Sequence, residues 1–194
     1  MTRRQALQAA AALVVIAGAG WGVSRALDRL TGVQPTSEPP AAPVAPSAES
    51  VAHITATLFY GSSDGKALVP VRREVALADG VVPQGREVLA AQLQTAPEEL
   101  ISVIPEGTAL RALYITERGD AFVDLTGEVS SQHPGGSTTE LLTVYAIVHA
   151  VTSNLPSIRR VQILIDGREA DTLAGHVDLR RPLSPDPALV RDAQ

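Results

Sequence analysis

The sequence contains no cysteine. That removes disulfides, thiolate zinc sites, thiol nucleophiles and a lipid-bearing N-terminal cysteine together. An oxidising compartment is neither required nor excluded. Aromatic residues are scarce at 3%, so a core must come from the Val, Leu, Ile and Ala that dominate the 45% apolar content. Lysine occurs once, at Lys66, and every other basic residue is arginine. The formal charge of -5 speaks against nucleic acid, because phosphate binding needs a concentration of Lys and Arg that shows as a basic bias.

Three zones and a tail follow along the chain. In residues 1–30, Arg3 and Arg4 precede an uncharged run, and Ala6 to Val23 would span about 27 Å as a helix, close to a hydrocarbon core of about 30 Å. This reads as a signal anchor or transmembrane helix with its basic end in the cytoplasm. A cleaved signal peptide competes, since Ala17-Gly18-Ala19 has the small-x-small form of a cleavage site. Gly18-Ala19-Gly20-Trp21-Gly22 imitates a dinucleotide fingerprint but follows no strand. Residues 31–50 are rich in Pro, Ala and Ser and read as an extended linker of at most about 60 Å. Residues 51–183 hold the globular domain, and 184–194 read as a flexible tail.

Within that domain His53–Tyr60 reads as a strand, and Ala67–Ala76 as a second one placed at an edge by Pro70. The spacing of Leu89 and Leu93 predicts a helix over Arg86–Thr95, ended by Pro97. Ala109–Thr116 and Ala121–Leu125 read as a hairpin around Gly119. Ser137-Thr138-Thr139-Glu140 has the form of a capping box at the start of a buried helix that runs to Asn154 and Pro156. Arg160–Ile165 alternates as a last strand. The order predicts an α+β fold: a two-layer mixed sheet with two helices on one face.

The residues with chemistry to offer are few. Asp166, Asp171, His176 and Asp178 lie close in sequence and could hold a metal or do acid–base work. The plainer expectation is that Asp166 accepts N–H bonds in the Asp166-Gly167 turn, while Asp178 bonds local backbone. His176 and Asp178 would share a face only if that stretch were extended. Asp124, at a strand end, is expected to satisfy loop amides. His133 sits in a glycine-rich loop before the capped helix, where backbone N–H groups could meet an anion. His149 is expected in the core and His53 at the surface. Gly61–Ala67 echoes a phosphate-binding loop but lacks the hydroxyl and the following helix. No serine sits at a strand-to-helix elbow with a base beside it.

Several stretches taken in order resemble a known family: Leu58-Phe59-Tyr60, Leu68–Arg72, Ser102–Leu110, Val123-Asp124-Leu125-Thr126, the helix TELLTVYAIVHAVTSNLPSI, VQILIDG and Leu173–His176. Together they resemble the GerMN domain, the GerM-like module of sporulation and spore germination, over nearly all of 51–183. The resemblance implies an extracytoplasmic α/β module similar to ring-building motifs. It supplies no catalytic, metal-binding or cofactor-binding residue to carry over. Unlike many relatives, this chain has neither a lipobox cysteine nor a second copy of the domain. The expectation is a membrane-tethered, non-enzymatic envelope domain. It would be held to the membrane by its N-terminal helix and bind an envelope protein or assemble with itself. An envelope-polymer or small-ligand binder is the alternative, and a hydrolase built on Asp166, His176 and Asp178 a third reading.

Overall fold

The computed structural model describes residues 52–191. The anchor and linker expected at 1–30 and 31–50 lie outside the described residues. Strand β1 (His53–Gly61) pairs antiparallel with β2 (Leu68–Ala76) over their full length. Helix α1 (Val81–Gln92) follows. Next come the hairpin β3 (Leu110–Ile115) and β4 (Asp120–Leu125), the single turn α2 (Glu128–Ser131) and the long helix α3 (Ser137–Asn154). β5 (Arg160–Ile165), the two-residue β6 (Arg168–Glu169) and a 3-10 turn at Pro187–Leu189 complete the chain.

The α+β class is as expected, but the strands divide between two sheets, one of β1-β2 and one ordered β3-β4-β5-β6. β4 and β5 are parallel and joined through α3, as a crossover requires. The break has a local cause. The outer edge of β1 meets side-chain amides where another strand would lie. Asn154 accepts from Thr57 N–H at 2.8 Å and donates to Thr57 O at 2.7 Å. Gln92 does the same for Phe59, at 2.8 and 2.7 Å. Gly61 exchanges both backbone bonds with Ile101. The helix ends thus stand in for a strand and close the edge.

Helix α3 buries residues on nearly every side, among them Leu142, Val144, Ile147, Val148 and Val151. Each such side chain removed from water contributes about 1.5–3 kcal/mol, so packing rather than propensity holds this helix. Helix α1 begins at Val81, five residues before the start read from the spacing of its leucines. Pro83 falls in its first turn, where the missing N–H would have no partner in any case. Gly85 then lets the helix approach the second sheet: a Cβ there would lie 2.6 Å from Leu113 Cδ2.

The capping box does not form. Gly136 is the N-cap, with no side-chain cap bond, and Glu140 turns inward. Nor is the stretch from 184 loose as far as Arg191. Leu183 exchanges both backbone bonds with Val161, and Arg191 N–H donates to Leu68 O at 2.8 Å. Arg191 also reaches Asp64 at 3.2 Å. Among the described residues no helix is long and apolar enough to cross a membrane.

Candidate functional site

The most concentrated polar structure is built on Glu140, whose side chain is fully buried. One carboxylate oxygen accepts from the backbone N–H groups of Leu173 and Ala174, both at 2.9 Å, and of Val177 at 3.2 Å. The other accepts from His176 N–H at 2.8 Å and from His176 Nδ1 at 3.0 Å. A carboxylate only accepts, so Nδ1 carries a proton. Burial pushes the Glu140 carboxyl upward. The N–H bonds from Ala174, Val177 and His176 and the His176 ring outweigh it, leaving the group below its usual range. Ser130 Oγ donates to Leu173 O at 2.7 Å, and Leu173 and Leu179 sink into the core. The carboxylate therefore folds the 172–178 loop around itself. It is spent on structure, and only the outer part of the His176 ring faces solvent.

His176 and Asp178 do not cooperate. The segment is a loop, not an extended strand, and Asp178 turns to Arg180, with contacts at 2.9 and 2.8 Å. That guanidinium holds the Asp178 carboxyl well below the usual carboxylate range. Asp171 enters through its backbone carbonyl, which accepts from Leu179 N–H. Asp166 does not take the turn N–H expected of it. It occupies the left-handed region at φ 51, with Gly167 at φ 78, which makes a two-residue hairpin of the kind Asp-Gly favours. Its carboxylate meets Arg111 at 3.2 Å. The Gly167 N–H instead goes to Asp124 Oδ1 at 2.7 Å, as expected of a carboxylate at that strand end. Among the described residues no three His, Cys, Asp or Glu side chains gather as metal ligands would.

His133 and His149 are held by bonds within the fold. His133 Nδ1 accepts from Gly135 N–H at 3.0 Å, so Nε2 carries the proton toward Thr143 Oγ1 at 3.1 Å. Thr143 in turn donates to Val103 O. Burial lowers the His133 pKa against the pull of Glu140. His149 Nε2 donates to Asp186 O at 2.9 Å beneath the Phe59 ring, and burial lowers its pKa too. His53 is exposed. In the Gly61–Ala67 turn, Ser62 Oγ donates to Asp64 and accepts from Ala67 N–H, so this is an ordinary hydroxyl-braced turn.

One concavity went unread in the sequence. A cleft of about 370 Å³ opens between the end of α1 and the 102–107 loop, lined by Tyr60, Gln94, Thr95, Ser102 and Glu106 among others. The Tyr60 hydroxyl is buried and has no protein partner among the described residues. Burial raises its pKa, with Arg73 acting the other way. Its alternation in β1 marks Tyr60 as a core residue, and nothing in the sequence says that its hydroxyl goes without a partner.

The likeness to known proteins rests on this scaffold. The family described as Germane, sporulation and spore germination, matches residues 57–171. A candidate lipoprotein from Clostridium perfringens, known from a crystal structure, is 25% identical, with a TM-score of 0.50. It covers 70% of this chain and 89% of its own. The tandem GerMN domains of the sporulation protein GerM from Bacillus subtilis superpose at a TM-score of 0.51 and 16% identity. They cover 70% of this chain, which spans 46% of theirs. No curated protein matches. With the family matching more than half its length, this chain belongs to the Germane (GerMN) family.

Proposed function

We propose that this chain is a membrane-tethered, extracytoplasmic binding or scaffold domain of the cell envelope, without catalytic activity of its own. The observation that carries this reading is the fate of Glu140. The carboxylate of the buried Glu140, the partner of His176, is committed to backbone N–H groups of a single loop. A general base needs reach to a substrate proton, and this carboxylate has none. The charged Asp166, Asp124 and Arg111 likewise close a hairpin. The candidate lipoprotein from Clostridium perfringens supports placement at the envelope, as does the apolar run at Ala6–Val23.

The test is made in the native host. The full chain should fractionate with membranes, be digested by protease added from outside, and yield a cross-linked envelope protein or a multimer of itself. Recovery in the soluble cytoplasmic fraction, or recovery without any cross-linked species, would defeat the reading.

The cleft beside Tyr60 favours a second reading, a binder of a small polar ligand or of an envelope polymer. Tyr60, Thr95 and Ser102 line it, and such hydroxyl-bearing residues suit a small polar ligand. Tyr60→Phe separates the two readings. If the cleft serves no ligand, removing a buried hydroxyl without a partner raises stability by about 1 kcal/mol. Calorimetry should then show no difference between the two proteins toward a soluble glycan of the envelope. Loss of measurable glycan binding in Tyr60→Phe would establish the second reading.

A further inference from the structure

We propose that β2 pairs antiparallel with β2 of a second copy of this chain, in the register that places Arg73 on the two-fold axis. This rests on the reading as an assembly domain and names the partner as the chain itself.

The open edge follows from where β1 sends its bonds. Thr57, Phe59 and Gly61 turn their backbone groups away from β2, toward Asn154, Gln92 and Ile101. Backbone groups alternate along a strand, so Ala56, Leu58 and Tyr60 turn theirs to Arg73, Val71 and Val69. On β2 it follows that Pro70, Arg72 and Glu74 present theirs outward. Both ends of this stretch are closed. Arg191 N–H covers Leu68 O, and Gln84 Nε2 donates to Ala76 O at 3.1 Å. Between them, among the described residues, no other segment bonds to the edge. Arg72 and Glu74 are exposed.

A two-fold axis allows a short set of registers, and the residues discriminate among them. An axis at Arg72 opposes the two Arg72 side chains and sets Pro70, which has no N–H, against Glu74. An axis at Glu74 opposes two glutamates. An axis at Val71 sets Pro70 against Arg72 and drives Glu74 into the covered Leu68. With the axis at Arg73, Arg72 faces Glu74 of the second copy twice over, and each such pair can exchange both N–H···O bonds. Pro70 then faces Ala76: the carbonyl that meets the missing N–H is the one already bonded to Gln84. On the opposite sheet face Val71 meets Val75. The like charges at the axis are drawn apart, because the Arg73 guanidinium carbon lies 5.5 Å from the centre of the Tyr60 ring, back over β1. Pro70 and the charges thus exclude other strands while leaving one self-complementary match, as an isologous contact requires.

An edge pair of this length covers little side-chain surface, so association is weak in dilute solution and covalent trapping is the suitable probe. The absence of cysteine lets single cysteines be placed in the full-length chain at 71, 72, 73, 74 and, as a control, at the exposed Tyr114. Antiparallel residues of the non-hydrogen-bonded kind have Cα atoms about 4.5 Å apart, within disulfide reach. Under mild oxidation Arg73→Cys should form covalent dimers at least about tenfold faster than any other position. In that background Arg72→Glu or Glu74→Arg should reduce cross-linking to the control rate, and the two together should restore it. All these side chains are exposed or half-buried, and unchanged circular dichroism melts confirm that each variant is folded. Control-level trapping at 73, faster trapping at 72 or 74, trapping of a different protein in place of a second copy, or indifference to charge reversal would each overturn the proposal. The wild-type chain still capturing an envelope protein in cells would then show that self-pairing alone has failed, and not the broader reading.

Discussion

Glu140→Gln should lower stability at neutral pH by about 3 kcal/mol, which for a domain of this size moves Tm down by about 10 °C. The substitution keeps the shape and removes the charge. The carboxylate accepts from the N–H groups of Leu173, Ala174, His176 and Val177 and from the His176 ring. Glutamine has one accepting oxygen, and its NH2 group would point donors at donors. The 172–178 loop should therefore detach first, seen as faster amide exchange at Leu173 and Val177 than at core positions of α3. A calorimetric loss below 1 kcal/mol would mean that the loop is held by Leu173 and Leu179 and not by the charge.

The same group gives a pH signature whose sign can be worked out. The folded Glu140 carboxyl lies below its usual range, so the unfolded chain binds its proton first as pH falls. Its stabilising effect is complete above the unfolded pKa of about 4.3 and is lost as pH drops through the folded value. The stability gap between parent and Glu140→Gln should stay level near neutrality and narrow below about pH 4. A gap that is flat throughout would assign the loss to geometry alone.

The second large effect is expected at Gln92, which is 2% exposed and holds both the N–H and the C=O of Phe59. Gln92→Leu keeps the volume and leaves both of these buried backbone groups unpaired, at about 1–3 kcal/mol each. We expect a total loss near 3 kcal/mol, measured by denaturant midpoint, together with a loss of exchange protection at Phe59. Asn154→Leu should cost less, because Thr57 is only half-buried and water can replace the amide there. Equal losses at the two positions would show that burial does not set the cost.

These two residues also mark what the sequence could and could not disclose. The strands and the long helix were legible because period-two and dense apolar patterns survive in any context, as at Val161-Gln162-Ile163 and Leu142–Val151. The hairpin at Gly119 and the turn at Asp166-Gly167 were legible because backbone with positive φ selects those residues, while the two-residue β6 beyond that turn was too short to show a pattern. Glu140 was misread because Ser137-Thr138-Thr139-Glu140 satisfies a local rule. The competing demand came from a loop more than thirty residues away, and only tertiary structure brings the two together. Gln92 and Asn154 carried no signal at all, since an amide near a helix end ordinarily faces water. The division into two sheets depends on them and was hidden for the same reason. Of the acidic residues from Asp166 to Asp178, Asp178 accepts a local backbone N–H, that of Arg180 at 3.0 Å, as expected, whereas Asp124 takes the bond assigned to Asp166.

The Asp166-Gly167 hairpin has a chemical consequence as well. An aspartate followed by glycine is prone to spontaneous rearrangement to isoaspartate, because glycine does not hinder the attack. That reaction needs the glycine nitrogen to lose its proton and attack the aspartate carboxyl carbon. Here the nitrogen is bonded to the Asp124 carboxylate at 2.7 Å, whose negative charge opposes that deprotonation, while Arg111 holds the Asp166 carboxylate at 3.2 Å. The fold thereby shields this bond, one of three Asp-Gly dipeptides with Asp64-Gly65 and Asp79-Gly80, against that rearrangement.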